Sequence, residues 1–593
     1  MRHRFASMYA DRYRMVGLEH EHRFQRGNNS MKTLLIALTI SICSSVAAAQ
    51  QFSSVPGQGR SMVVTKLGIV AAPQFLASQA GAHILEQGGN AVDAAIAANA
   101  VMGVVQPYVN GMGGDLFALY YDAKANKLYG LNASGWTPKA LTIEYLKSHG
   151  VDKINPIGVE TIDIPGAVAG WDALRGRFGK LPFSEILAPA IYYAQNGFPL
   201  AERNARYWVA KSLMHQPGYK ETYMPNGVAP KLGDEFKNPA LADSFRQVAE
   251  HGRDAFYNGP MTETMVKFLQ AQGGTHTLED FRDFQPEWIE PISTTYRGWT
   301  VYELPPNGQG IAALTMLNIM EQFPLGQYPH NSVDALHIMI EAKKLAYADM
   351  YKYVGDPRFT PVPVKEMLSK ELARKRAALI KMDKAACEVV PSDIEKMLDA
   401  HGNSTIYLST IDKDGDIVSL IQSNYAGYGT GMVAPGLGFS FQNRGAGFQL
   451  TPGLPNSLAG HKRPLHTIIP AFMEKGDLHI GFGIMGGWNQ AQAHAQFVAN
   501  VVDYGMNVQA ALEQPRFTKG TFEGCDVQME STIPQPVRDE LTKRGHQIDL
   551  LEPYSFSVGQ GEAVVRDAKR DVNFAGSDPR SDGEAIPQEP SAK

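Results

Sequence analysis

From Phe75 to Glu86 apolar residues recur at the spacing of a helix face, and Gly88-Gly89 stop the pattern. Asn90 then caps a second run, Ala91 to Val104, that is apolar on nearly every side, which predicts a helix buried between layers. Leu116 to Asp122 and Lys127 to Leu131 read as a strand pair, while Pro189 to Gln195 and Val333 to Met350 return to helical periodicity, the latter with its charges on one side. Further on, Leu408 to Ile411 and Ile417 to Ile421 are β-rich runs, and Asp412-Lys413-Asp414-Gly415 between them signals a hairpin turn. Short strands punctuated by Gly and Pro follow, then a helix from Ala491 to Tyr504, and Ser581 to Lys593 reads as a polar, loose tail. The periodicities predict a mixed α and β protein.

The hairpin opens with NSTIYLSTI, which puts Thr405 at the first position of an apolar strand. Threonine begins strands through β-propensity alone. If the Ser404–Thr405 bond is cut, however, the freed α-amine sits beside the hydroxyl, and one residue supplies both nucleophile and base. The stretch from Met382 to Ser404, with Ala385, Ala386, Pro391, Ser392 and Gly402 among scattered charges, suits an excursion that presents this bond. Other candidate chemistry is thinner. Asp412, Asp414 and Asp416 lack the spacing and terminal Glu of a calcium loop, His20-Glu21-His22 has no Cys or His partner cluster, and no G-x-S-x-G elbow is present. GQGRS, GGN and GMGG lack the strand and helix context of a nucleotide loop, so neither a cofactor nor a metal is implied.

Composition narrows the partners. The 593 residues are 44% hydrophobic and 19% charged, enough for a large core, and a net charge of -5 without a basic stripe argues against nucleic acid and for small-molecule chemistry. Met31-Lys32-Thr33, the apolar run Leu34 to Val46 and Ala47-Ala48-Ala49 have the form of a secretory signal, so residues 31–49 are expected to leave and the mature chain to begin near Gln50. The apolar run is shorter than the ~20 residues of a bilayer span, and no span is expected in the mature form. Residues 1–30 stand upstream of that signal, which points to Met31 as the initiator. Cys43 would leave with the signal; Cys387 and Cys525 either pair in an oxidising compartment or remain two lone thiols.

Several strings together resemble one family. YGTGMVAPGLGFSFQNRGAGFQL, HKRPLHTIIPAF, GFGIMGG and NFAGSDPRSDGEA, following Thr405, are similar in order and spacing to the small subunit of the γ-glutamyltransferases, also called glutathione hydrolases. GGNAVDAAIAANAVMGVVQP, GMGGD, DIPGAVAGWDAL, LPPNGQGIAALTMLNIME and EAKKLAYADMYKYVGDP resemble the large subunit. The resemblance implies an α+β, four-layer helix-sheet-sheet-helix sandwich of the N-terminal-nucleophile hydrolases. It implies one precursor cut at Ser404–Thr405 into a large subunit, residues 50–404, and a small catalytic subunit, residues 405–593, that stay associated. It makes Thr405 the nucleophile of self-cleavage and amide attack, gives the backbone of Gly486 and Gly487 the oxyanion, and sets Ser409 and Ser423 near the nucleophile.

The pocket departs from the family's pattern. Ser134 stands where the family grips an α-carboxylate with arginine, Gly447 where it binds the α-ammonium with aspartate, and Arg444 where it has glutamine. His466 and Thr467 replace two serines, and Tyr425 replaces an asparagine. Losing charge-assisted bonds of roughly 1.5 to 3 kcal/mol each at both ends of a γ-glutamyl group disfavours that substrate. Arg444 then pairs with a carboxylate at the far end of an acyl group lacking the amine, as in glutaryl or oxamate-type amides, or else it bridges to a neighbouring Asp or carbonyl. His466 either polarises the substrate or caps a turn. An exported amidohydrolase or acyltransferase, whether glutathione hydrolase or acylase, stands against an uncleaved relic that only binds, and against a serine or metal hydrolase using other residues.

Overall fold

The computed structural model describes residues 58–389 and 404–590. The expected leader, the segment upstream of it and most of the excursion before Thr405 lie outside the described residues. Two large sheets organise the rest. The first runs Glu584–Pro587, Ile69–Ala72, Ser404–Ile411, Ile417–Tyr425, Asp115–Asp122, Lys127–Ala133, Glu287–Ile289. The second runs Val63–Thr65, Val572–Ser577, Gly561–Asp567, Leu478–Ile484, Ala471–Lys475, Trp299–Glu303, Ile292–Tyr296. All pairings within them are antiparallel.

Strand alternation builds the layers. In Asp115–Asp122, Leu116, Ala118 and Tyr120 face helices Phe75–Glu86, Ala91–Val105 and Ala167–Phe178, while Phe117, Leu119 and Tyr121 face the other sheet. Phe472 and Val564 meet them from the second sheet, whose outer face packs on Gly310–Met320, Val333–Tyr353 and Gln490–Val502. The order is helix, sheet, sheet, helix, as the resemblance implies. Strands from both sides of residue 404 contribute to each sheet, so the two halves share one fold instead of forming separable domains.

The local readings hold at several points. Helix Ala91–Val105 is buried throughout and starts with a reciprocal cap, Asn90 with Asp93. Asp412 closes the hairpin turn, accepting from the backbone N–H of Asp414 (3.0 Å) and Asp416 (3.1 Å). Two readings are corrected. Ser581 onward is not a loose tail: Ser581 is buried, and Glu584–Pro587 adds an edge strand to the first sheet against Ile69–Ala72. Along Val333–Tyr353, where the sequence puts the charges on one side, Lys343 lies off that side, and Glu341, Lys343, Lys344 and Asp349 are all buried and partnered. Among the described residues no helix is long and apolar enough to cross a membrane.

One buried ion network supports the centre of the fold. Arg516 donates to Asp578 and to the carbonyls of Val558 and Gly559, both at 3.0 Å, and Arg580 bridges Asp578 (3.0 Å) to Glu530 (2.6 Å). Gly559 packs so tightly on Met485 that an added Cβ would lie 2.0 Å from the Met485 carbonyl oxygen. The network therefore clamps the turn lying under Met485 and the glycines that follow it. Burial alone would raise the Asp578 carboxyl, but the two guanidiniums more than offset it and hold it below the usual range. Its contribution is present above the unfolded value of about 3.9 and is lost as pH falls through the lower folded value. Asp578→Ala, which strands the buried Arg516 cation and leaves Arg580 with Glu530 alone, is expected to cost about 3–5 kcal/mol, read as a lowered midpoint of urea unfolding at neutral pH. A loss under about 1 kcal/mol would show that the network is not held as described.

Candidate active site

Thr405 lies fully buried where the Ser404–Ile411 ladder is irregular. Ser404 pairs with Tyr425, Ile406 pairs with Gln422, and the register shifts between them. The strand thus begins one residue before Thr405, and the bulge re-aims the threonine side chain. Its Oγ1 is 3.1 Å from Ser423 Oγ, and Ser423 Oγ accepts from the Tyr425 N–H at 2.8 Å. Tyr425 has φ +76°, a left-handed conformation that costs a bulky side chain energy, so backbone strain sits directly across from Ser404. Ser409 is further away, roughly 13 Å along the strand at 3.3 Å per residue. Its hydroxyl donates to the backbone of Val418 and Gly481, a structural use.

Gly486 and Gly487 form a turn between strand Leu478–Ile484 and helix Gln490–Val502, with φ +126° and +59°. Both are in the region that favours glycine. The peptide planes on either side of Gly487 are pinned from behind: Gly486 O accepts from Asn489 N (3.0 Å) and Gly487 O from the Gln309 side chain (2.8 Å). Gln309 also donates to Thr467 O, and Tyr347 donates to Trp488 O. Ile484 N donates to His494 Nε2 (3.0 Å), whose Nδ1–H reaches Glu303 (2.8 Å). Burial pushes His494 down to about 3 and Glu303 well above the carboxylate range. Sequence reasoning assigned no role to Gln309 or Tyr347, although LPPNGQG and EAKKLAYADM were among the motifs.

Asp115, the last residue of GMGGD, is the hub of the pocket and was also missed. It accepts from Gly135 N at 2.8 Å and from His466 Nε2 at 3.0 Å, and it stands 3.7 Å from Arg444 Nε. His466 Nδ1 accepts from Ile468 N (3.2 Å), which fixes the proton on Nε2; burial and the Arg444 charge push this imidazole down to about 4. His466 is thus a neutral donor that orients Asp115. Arg444 is not a cation without an acid, because Asp115 faces it. Its Nη1 donates to Thr467 Oγ1 and its guanidinium lies 4.4 Å over the Tyr425 ring. Burial lowers Arg444 to about 10 against the opposing pull of Asp115, so it stays charged.

Unused bonding capacity collects here. Arg444 Nε and Nη2, Tyr425 Oη, Asn424 Oδ1 and both carboxylate oxygens of Asp163 are buried with no partner at hydrogen-bond distance. Burial, then the Asp115 charge, pushes the Asp163 carboxyl well above the usual range. A Cβ built on Gly447 would meet only Leu465 O and Tyr425 Oη, each at 3.9 Å, so the replaced aspartate position opens toward the Tyr425 hydroxyl. Ser134 is turned aside: its hydroxyl accepts from Asn307 Nδ2 at 3.2 Å. Tyr425, Arg444, His466 and Thr467 therefore meet around Asp115, whereas Ser134 joins only through its neighbour Gly135.

A second polar cluster lies elsewhere. His337, Glu341 and His546 bring potential ligand atoms within 4.8 Å of one another. The imidazoles hydrogen-bond directly at 2.8 Å, and the Lys344 ammonium sits 2.5 Å from Glu341, supplying the cation itself. Cys387 and Cys525, whose state the sequence left open, form a disulfide with Cα atoms 4.7 Å apart.

Comparison with known proteins agrees with this architecture. The family profile described as Gamma-glutamyltranspeptidase matches residues 77–588. A glutathione hydrolase-like YwrD proenzyme of Bacillus subtilis is 36% identical over 536 residues, covering 89% of this chain and 99% of its own. The oxamate amidohydrolase proenzyme of Klebsiella pneumoniae is 32% identical over 541 residues, covering 88% and 98%. Among solved structures, a cephalosporin acylase from Bacillus halodurans superposes with a TM-score of 0.84 at 41% identity, covering 91% of this chain and 99% of its own. The chain belongs to the γ-glutamyltranspeptidase family.

Proposed function

We propose that this is an exported, self-processing amidohydrolase in which Thr405 cleaves its own precursor and then an acyl amide ending in a carboxylate. In the first step Thr405 Oγ1 attacks the Ser404 carbonyl carbon. The C–N bond breaks as the amine takes a proton, and water hydrolyses the resulting ester. The new α-amine, with an ordinary pKa of about 8, then accepts the hydroxyl proton as Oγ1 attacks the substrate amide. Ser423 at 3.1 Å orients the hydroxyl. The N–H groups of Gly486 and Gly487 receive the oxyanion, each such donor being worth about 3 to 4 kcal/mol in other enzymes. Leaving amine departs, and water or an acceptor amine releases the acyl group. Relatives named as proenzymes support the processing. The leader-like residues 31–49 and a disulfide in the mature part support export.

The observation that carries the acyl preference is Arg444: charged, fully buried, and left with two unpartnered guanidinium nitrogens beside the space opened at Gly447. A substrate carboxylate there restores bonds that an unliganded pocket lacks. Asp163 favours a second reading, since its two unpartnered oxygens would accept an α-ammonium of a γ-glutamyl group. Burial and the Asp115 charge disfavour the ionised form of that carboxyl, which weakens the pairing, so the acyl group without an amine is the better fit.

Three outcomes test this. N-terminal sequencing of exported protein should find a large fragment starting near Gln50 and a small one starting at Thr405, and Thr405→Ala should stay one chain; cutting at the same bond in that variant removes Thr405 as the nucleophile. For glutaryl and γ-glutamyl versions of one chromogenic amide, kcat/KM should favour the glutaryl compound. Arg444→Ala should cost it at least about tenfold, or ~1.4 kcal/mol, while Asp163→Asn spares it. A γ-glutamyl preference that Asp163→Asn abolishes and Arg444→Ala leaves intact would establish the second reading. Gln309→Ala, which frees the peptide behind Gly487, should lower kcat about tenfold with KM little changed; an equal rise in KM with kcat intact would place Gln309 in substrate binding.

A further inference from the structure

We propose that the Cys387–Cys525 disulfide is an interchain bond of the processed enzyme, holding the end of the large fragment on the small one after cleavage. The inference rests on cutting at Ser404–Thr405. The two cysteines are separated by 138 residues, and that bond lies between them. In the precursor the disulfide closes a loop within one chain. Once the loop is opened by hydrolysis, the same sulfur–sulfur bond joins two chains.

Its surroundings form a junction between the fragments. Gly524 N donates to Cys387 O (2.9 Å) and Ala385 N donates to Arg544 O (2.7 Å), both crossing from one fragment to the other. The His337–His546 bond at 2.8 Å crosses in the same place. On the large-fragment side, Lys344 Nζ donates to Ala386 O (2.8 Å) and Ala386 N to Glu341 (3.3 Å), so Cys387 leaves a segment already fixed on helix Val333–Tyr353. These contacts bring the two cysteines together across the junction. Cys525 is buried at 3% exposure, whereas Cys387 is exposed, so exchange reagents reach the bond from the Cys387 side. Its formation removes two electrons and two protons from the thiols, taken up by a disulfide-exchanging oxidant of an oxidising compartment.

The physical consequence concerns dilution. Two chains joined only by non-covalent contacts separate more readily as concentration falls, and a covalent link makes unfolding unimolecular. Protein exported into an oxidising compartment, with free thiols capped by N-ethylmaleimide, should run on a denaturing gel as one species of the summed mass without reductant and as two with it. Cys525→Ser should give two in both lanes, and a digest of unreduced wild type should contain the Cys387 and Cys525 peptides linked. The wild-type Tm should be unchanged over a hundredfold dilution, whereas Cys525→Ser, or wild type reduced through exposed Cys387 should that variant not fold, should show a falling Tm. Two species in the unreduced wild-type lane, with both cysteines alkylated, would overturn the proposal. A single species in the reduced lane overturns it through the cleavage reading instead, and the digest tells the cases apart by showing the pair linked inside one uncut chain.

Discussion

Antiparallel pairing of Ser404–Ile411 with Ile417–Tyr425 sets where Thr405 lies, because both strands are held on their outer edges by Ile69–Ala72 and Asp115–Asp122. A slip of one residue would swap the helix-facing and sheet-facing sides of the hairpin, turning Ile406 and Leu408 out of one core and Tyr407 out of another. The only irregularity in this pairing falls between Ser404 and Ile406, at the bond proposed to be cut. Strain and register shift are confined to the end of the ladder, where a left-handed Tyr425 faces Ser404. The remainder of the hairpin stays regular, so hydrolysis at its head need not disturb the sheet.

The same sheet order explains why cleavage need not separate the halves. Glu584–Pro587, from the far end of the chain, pairs with Ile69–Ala72 from its beginning, and Ile69–Ala72 pairs in turn with Ser404–Ile411. In the second sheet Trp299–Glu303 pairs with Ala471–Lys475. Backbone hydrogen bonds cross between the fragments in both sheets, and the cores on either side draw residues from both. The proposed chemistry at Thr405 would therefore draw on residues from before residue 404: Asp115 bonds His466, and Gln309 and Tyr347 hold the glycine turn from behind.

What was legible in the sequence was what short range determines. The hairpin turn is made by Asp412 bonding residues two and four positions on, and the cap of Ala91–Val105 by Asn90 and Asp93. Thr405 and the glycine pair stood out as candidates through the strings that surround them. What escaped was set by distant partners. His466 and Asp115 are 351 residues apart in sequence, and neither residue's local pattern announces the bond. The burial of the charges of Val333–Tyr353 was not legible, because periodicity counts polar residues without seeing Thr521, Ala386 or Arg376 waiting to satisfy them. The C-terminal strand was read as tail because its partner strand lies at the opposite end of the chain. Pairing of Cys387 with Cys525 is equally a matter of tertiary distance.

Charge balance in the pocket constrains the substrate more than any single replacement does. His466 Nδ1 accepts from Ile468 and burial disfavours the charged form of Asp163, while Asp115 and Arg444 stand as an opposed pair, 3.7 Å apart and without a direct hydrogen bond. A zwitterionic γ-glutamyl end would enter a site that has lost the family's separate cation and anion and holds one loosely engaged pair. A ligand carrying only a carboxylate needs less: Arg444 is already desolvated, Thr467 fixes one of its nitrogens, and Tyr425 lies flat beneath it. Because the guanidinium's burial cost is met within the fold, the ligand has to compensate only its own desolvation. On the proposed reading, placing the cation in advance shifts selectivity toward the simpler acid without adding any contact that the larger, doubly charged group would have to break.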